Sequence, residues 1–354
     1  MSDQNLSRES ARKKGDSVTA PWSSWTDAQL LDLRLRDLDV SIKGSRVQAA
    51  VDRLYETLAR RGIRFRPRVW EAAEWFSPVG TPGIGIPFYL LHPRLVRLER
   101  RQMFEVEGGS RGECQRILRH ECGHAIQQAY RLHRRRRWQK LFGLSSTPYP
   151  QYYQPNPASR RHVQNLRLFY AQSHPDEDFA ETFATWLRPR HIWRKRYAGW
   201  PALAKLEYVD ELMREIGQLT PPNRSRATVD PLWRSNETLR THYEEKRTHY
   251  RPGAMDVFDG DLIKVFGRED PSPDTERASA FLRKHRRRIR GVVRRWTGEY
   301  EATLDEVLDE MIQRARELNL RASGPPEKIV ADFSMMLAVN TTHFLYDRRS
   351  RIPL

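Results

Sequence analysis

The chain has 354 residues, 38% hydrophobic and 30% charged, with 22 Pro and 19 Gly, a mixture that excludes wholesale disorder and fibrous structure. Its 62 Lys and Arg against 45 Asp and Glu leave a net charge of +17, which attracts anions without choosing among nucleic acid, acidic protein and anionic lipid. No apolar run approaches the roughly 18–20 residues of a membrane span, the opening residues lack a signal-peptide core, and two cysteines, Cys114 and Cys122, are too few for a disulfide scaffold. The expected compartment is the cytoplasm.

Residues 1–20 are polar and mixed in charge, and are expected to form a disordered lead-in. A main domain is expected over 21–220. Between Ser24 and Arg61 the residues Leu30, Leu31, Val47, Val51, Leu54 and Leu58 recur at helical intervals, with Thr26 or Asp27 and Ser45 as caps. Ile63–Trp70 alternates apolar and basic residues until Pro67 interrupts it, and Gly83–Leu91 is a mostly apolar run behind a Thr81-Pro82 turn. The two predict a small mixed sheet. Pro87 lacks an amide donor, which predicts an edge position where Ile84–Tyr89 is open to an extended guest peptide.

After the break at Gly108-Gly109-Ser110, the pattern predicts helices over Arg111–Arg131 and Ser173–Leu187. The stretch 221–273, rich in Pro, Arg and Thr, reads as a connector wrapping the domain. Residues 274–354 form a helical C-terminal region with segments Thr275–Trp296, Leu304–Leu318 and Pro325–Leu345, and the chain has no internal repeat. Basic residues cluster in His133–Arg137 and from Arg283 to Arg295. The plain reading is a solvated helix face, and the alternative is a weak, sequence-indifferent site for nucleic acid or an acidic partner.

The sharpest signal is His120-Glu121-Cys122-Gly123-His124, an HExxH pattern on a helix whose apolar positions are Cys114, Ile117, Leu118, Cys122, Ala125, Ile126 and Ala129. Residues four apart share one helix face, so the two imidazoles can hold one Zn2+ while Glu121, one step around, serves as general base toward its water. A catalytic zinc needs a third protein ligand. The segment His174-Pro175-Asp176-Glu177-Asp178-Phe179-Ala180-Glu181 supplies acids at the start of a helix, with Phe179, Phe183 and Leu187 facing the core. Glu177 can bind the metal while Glu181, on the same face, accepts the ring N–H of a ligating histidine. Asp178 is a competing carboxylate beside Glu177.

HECGH followed by an ExxxE helix resembles the gluzincins, and HPDEDFAETFATWL with the later YAGWPALAKLEYVDELM resembles the bacterial family of putative zinc-binding metallopeptidases. More distantly, the catalytic domain of anthrax lethal factor is similar, with a tyrosine seven residues before its zinc-binding glutamate; the matching position here is Tyr170. The resemblance covers roughly residues 60–265 and implies an α+β, zincin-like metallopeptidase fold with C-terminal helices added. It also implies zinc held by His120, His124 and Glu177, Glu121 as base, Tyr170 as donor to the oxyanion, and peptide or protein substrates. The rival reading is a basic nucleic-acid or anionic-partner binding protein whose metal site is vestigial or structural. Glu121 argues against it, because a structural zinc site has no use for a base.

Overall fold

The computed structural model describes residues 20–353, apart from 104–105, 151, 154–155, 157, 189–191, 250–258, 267–274 and 347–351. The lead-in over 1–19 and parts of 221–273 therefore lie outside the described residues. The N-terminal part opens with α1 (Asp27–Leu31), capped by Thr26, whose Oγ1 accepts from the amide of Gln29 while the Gln29 side chain accepts from the amide of Thr26. It continues into α2 (Gln48–Arg60), which buries Val51, Leu54 and Leu58. Strand β1 (Arg68–Ala72) starts directly after Pro67, whose carbonyl accepts a hydrogen bond from Tyr55 Oη at 2.7 Å. Strand β2 (Gly83–Pro87) ends at its proline, and the chain then turns through a 3-10 helix at Phe88–Leu90. Strand β2 is shorter than the expected run because Pro87 closes it, whereas β1 forms on the far side of Pro67 from the alternating residues Ile63–Arg66, which are not in a strand.

The two strands pair in parallel, from Arg68↔Gly83 to Ala72↔Pro87. On its other side β2 is not open. Gly85 N–H donates to the Phe76 carbonyl at 2.8 Å, and a Cβ on Gly85 would sit 2.4 Å from the Phe76 ring. All five residues of β2 are buried. The expected guest edge along Ile84–Tyr89 is thus met at Gly85 by the chain's own Phe76 and gives way to a 3-10 helix from Phe88, and the sheet is a parallel pair rather than a mixed one.

Helices follow in series: α3 (Pro93–Met103), α4 (Arg111–Tyr130) and α5 (Arg136–Phe142), then strand β3 (Tyr152–Tyr153), α6 (Pro175–Leu187), α7 (Trp193–Arg196) and α8 (Ala202–Ile216). Next come α9 (Leu239–His249) and α10 (Asp259–Phe266), both inside the stretch read as a connector, and then α11 (Ala278–Thr297), α12 (Glu301–Glu317) and α13 (Pro326–Tyr346). The last element, β4 (Ile352–Pro353), pairs antiparallel with β3 as a separate two-stranded sheet. The architecture is α+β, mostly helical with small sheets.

Two apolar clusters organise these elements. The first runs from Trp22 through the buried faces of α2, β2, α4, α6 and α8 to Tyr243 on α9. Lys246 of α9 reaches Glu99 of α3 at 3.0 Å and Glu74 at 2.6 Å, which fastens that helix to the first cluster. The second is built from α10 to α13, with Phe281, Leu282, Ile289, Val293, Leu308, Met311 and Phe333 at its centre. Among the described residues no helix is long and apolar enough to cross a membrane.

Candidate metal centre

Helices α4 and α6 pack along one another in the first cluster. Helix α4 starts where Ser110 accepts a hydrogen bond from the Glu113 amide, and it stops at Arg131, which adopts a left-handed conformation at φ 52°. Where the two helices cross, Gly123 meets Ala180. A Cβ on Gly123 would lie 2.8 Å from Ala180 Cα and 3.1 Å from its carbonyl oxygen, so only glycine permits this approach. Helix α6 starts at His174, whose Nδ1 accepts from the Asp176 amide while Nε2 donates to the Thr147 carbonyl at 2.8 Å, with Pro175 in the first turn.

This crossing brings three donor atoms together. His120 Nε2 lies 3.1 Å from His124 Nε2 and 3.0 Å from Glu177 Oε2, and His124 Nε2 is 3.1 Å from the same oxygen. Ligands bound tetrahedrally at about 2.0–2.1 Å stand roughly 3.3 Å apart, so the trio is within a few tenths of an ångström of a zinc ligand set. The chemistry of the trio also asks for a cation. His120 Nδ1–H donates to Glu181 Oε1 at 2.9 Å, which leaves the Nε2 lone pair pointing at the centre, where it meets a second ring nitrogen and a carboxylate oxygen. Burial works against charge at this spot. Hydrogen bonds and charge from Glu177 and Glu181 nonetheless push the proton affinity of His120 well above the usual range, and against the same burial the histidines hold Glu177 well below its own. The residues present fit a divalent metal.

Asp178, the competing carboxylate, points elsewhere. It pairs with Lys205 of α8 at 2.5 Å, and burial raises its pKa to about 7 against the pull of that ammonium. Glu121 is 7% exposed, its Oε2 has no hydrogen-bond partner, and burial raises its affinity for a proton. Tyr170, on the 3-10 helix Arg167–Gln172, sets its ring 5.6 Å from that of His120. Burial and then the charges of Glu177 and Glu121 drive its phenol well above the usual range, so it stays protonated and able to donate.

The structure adds residues that the motif alone did not single out. Tyr149 Oη donates to Glu177 Oε1 at 3.0 Å, and its ring stacks on His174 with centroids 3.7 Å apart. Asn165 Nδ2 donates to Glu181 Oε1 and the Leu166 amide to Glu181 Oε2, both at 2.8 Å. Gln127 and Ser145 donate to the two oxygens of Asp176 at 2.7 and 2.9 Å. No periodicity marks Tyr149, Ser145 or Asn165, because all lie in the irregular stretch between α5 and α6. Gln127, three residues after His124 on the same helix, was the legible one.

Residues 113–199 match the family model described as "Putative zinc-binding metallo-peptidase". No curated protein and no solved structure matches the chain. The matched segment holds His120, Glu121, His124, Tyr170, Glu177 and Glu181, and it spans α4, the intervening loop and α6. This zinc-binding peptidase likeness therefore rests on the same stretch as the trio. Of the two basic clusters, His133–Arg137 lies inside this segment and Arg283–Arg295 outside it, and both are partly neutralised within the chain. Arg135 and Arg137 pair with Glu215 and Glu211 of α8 at 2.9 and 2.5 Å. On α11, Arg286, Arg290 and Arg294 face Asp309, Asp305 and Glu301 of α12, at 2.6, 2.7 and 2.9 Å respectively.

Proposed function

We propose that the chain is a zinc-dependent metallopeptidase of zincin-like fold and gluzincin type, hydrolysing peptide bonds with His120, His124 and Glu177 as metal ligands. The observation that carries this reading is the meeting of two imidazoles and one carboxylate, from two helices, at 3.0–3.1 Å with a buried, partnerless Glu121 oxygen beside them. The family likeness over 113–199 supports it.

The metal, when bound, supplies Lewis-acid activation of water and of the scissile carbonyl. Glu121 takes the proton of the attacking water and hands it to the leaving amine as the C–N bond breaks, and its burial raises its affinity for that proton. Tyr170 donates a hydrogen bond to the oxyanion that develops on the carbonyl oxygen. Glu181, steadied by Asn165 and Leu166, holds the Nδ1–H of His120 and so keeps Nε2 turned inward. Tyr149 occupies the outer oxygen of Glu177 and leaves Oε2 to face the histidines.

Metal analysis of the purified chain tests the ligand set. About one zinc per chain is expected, lost in His120→Ala and Glu177→Ala and kept in Asp178→Ala. A metal-free parent, or metal lost with Asp178 and kept without Glu177, overturns the assignment.

A further inference from the structure

The second apolar cluster is not covered on all sides. Between α11 and α13 lies an open groove of about 600 Å³, lined by Val292 and Trp296 from one helix and Val330, Met335, Ala338 and Val339 from the other. Trp296 is 79% exposed, Met335 72%, Val339 48% and Val292 37%. Other large apolar side chains exposed among the described residues, Trp25, Val79, Leu144, Tyr149, Ile192, Leu219 and Trp233, do not line this groove. Isolated exposed apolar residues need no explanation, but four lining one groove do.

The rim of this groove is basic. Arg288 and Glu327 pair across it at 2.7 Å and neutralise one another. Lys284 and Arg295 on α11 and Lys328 on α13 stand within one turn of lining residues and are exposed. None of the three has an ion-pair partner among the described residues; of the exposed acids on this part of α13, Glu327 is taken by Arg288, and Asp332, beside the lining residue Ala331, leaves three basic groups against one acid. The inward-facing arginines of the same helix are matched one for one by α12, so the outward-facing charges are what α11 has left over.

We infer that this groove docks an acidic amphipathic helix of a partner protein, with its apolar face against Trp296 and Met335 and its carboxylates on the basic rim. From Val330 to Val339 the lining runs roughly 14 Å, the length of two to three helical turns. Trp and Met are the residues that give such contacts their energy and adaptability. A second copy of this chain would bring like-charged rims together on two chains that each carry +17. Duplex nucleic acid, whose bases are already stacked on one another, gains nothing from an apolar floor, and a flat bilayer does not enter a concave groove. The inference stands independently of the metal centre.

The test uses the full chain and a fluorescein-labelled synthetic helix of about 18 residues, with Leu at helical spacing and Glu elsewhere, read by fluorescence anisotropy. Saturable binding is expected, weakened about tenfold by Trp296→Ala or Met335→Asp and several-fold by Arg295→Glu, with little binding of the same helix carrying Lys for Glu. These side chains are exposed, and circular dichroism checks that the variants stay folded; Arg295→Glu keeps the test decisive if Met335→Asp disturbs α13. Equal binding by parent and variants, absence of binding, or preference for the Lys probe overturns the inference. So does a dimer that Met335→Asp dissolves, or binding of duplex DNA or anionic vesicles that Trp296→Ala abolishes.

Discussion

The α4–α6 pair and the α11–α12 pair are both helix crossings rich in charge, yet they handle it in opposite ways. Between α4 and α6 the ionisable groups His120, Glu121, Glu177 and Glu181 lie inside the first apolar cluster, each at 7% exposure or less. Between α11 and α12 the interior is Ile289, Val293, Leu304, Leu308 and Met311, and the buried carboxylate of the arginine–carboxylate ladder beside it, Asp305, is paired with both Arg286 and Arg290. Burying unpaired charge costs several kcal/mol per ion, so a crossing built only for stability places charge as the second one does. The first crossing keeps carboxylates inside with an oxygen of Glu121 unpartnered, which supports the proposed function.

Substitutions in the two crossings should therefore fail in different ways. The largest effect is expected at Glu121→Gln, which should lower peptide hydrolysis by about a hundred- to ten-thousandfold while the zinc content measured by atomic absorption stays near that of the parent. Activity persisting in that variant would remove the general base from the proposed mechanism. Tyr170→Phe should lower kcat by about a hundred- to a thousandfold and leave KM and bound metal nearly unchanged, since the phenol acts on charge that exists only in the transition state. An unchanged turnover number would leave Tyr170 as a packing residue against His120.

Glu181→Ala should weaken metal affinity by about ten- to a hundredfold in a chelator competition, because His120 loses the acceptor that orients its ring. If affinity is untouched, the 2.9 Å contact between them does not tune the centre. In the second crossing no chemistry should be at stake. Asp305→Ala strips Arg286 and Arg290 of a 2% exposed partner and should cost about 1–3 kcal/mol in urea unfolding while leaving metal content and hydrolysis intact. Glu327→Ala, at a fully exposed pair with Arg288, should leave the unfolding midpoint where it was. A loss of activity in Asp305→Ala at full folding would show that the two crossings are coupled and break the contrast.

Much of this was legible in sequence wherever the cause is local. The four-residue interval of His120 and His124, the Thr26 cap, and Pro175 opening a helix with acids behind it act within one or two turns, and their structural consequences appear where the pattern predicts them, whereas the expected Ser45 cap does not form and α2 starts from Val47. The C-terminal helices follow their apolar periodicity to within a few residues of the expected boundaries. The proline rule read the end of β2, but it misplaced β1, which forms after Pro67 and not before it, and it gave nothing of their surroundings. That Pro87 leaves an amide missing was local, whereas the Phe76 segment covering the far side of Gly85 depends on how residues 73–80 return to the sheet.

The sequence by itself determined that two imidazoles share a helix face and that acids crowd the start of α6, because a helix repeats every 3.6 residues whatever surrounds it. Only the tertiary structure decided which of Glu177 and Asp178 faces the two histidines. Adjacent residues on a helix point about 100° apart, and the rotation of α6 is set by Phe179 and Phe183 entering the core, by Gly123 admitting Ala180, and by Lys205 on α8 claiming Asp178. The same holds for Tyr149 on Glu177 and for the division of the arginines of α11 into inward and outward rows. Those contacts join residues separated by 15 to 28 positions or more, from Arg290–Asp305 to Tyr149–Glu177, and no local spacing encodes which partner a packed helix will turn toward.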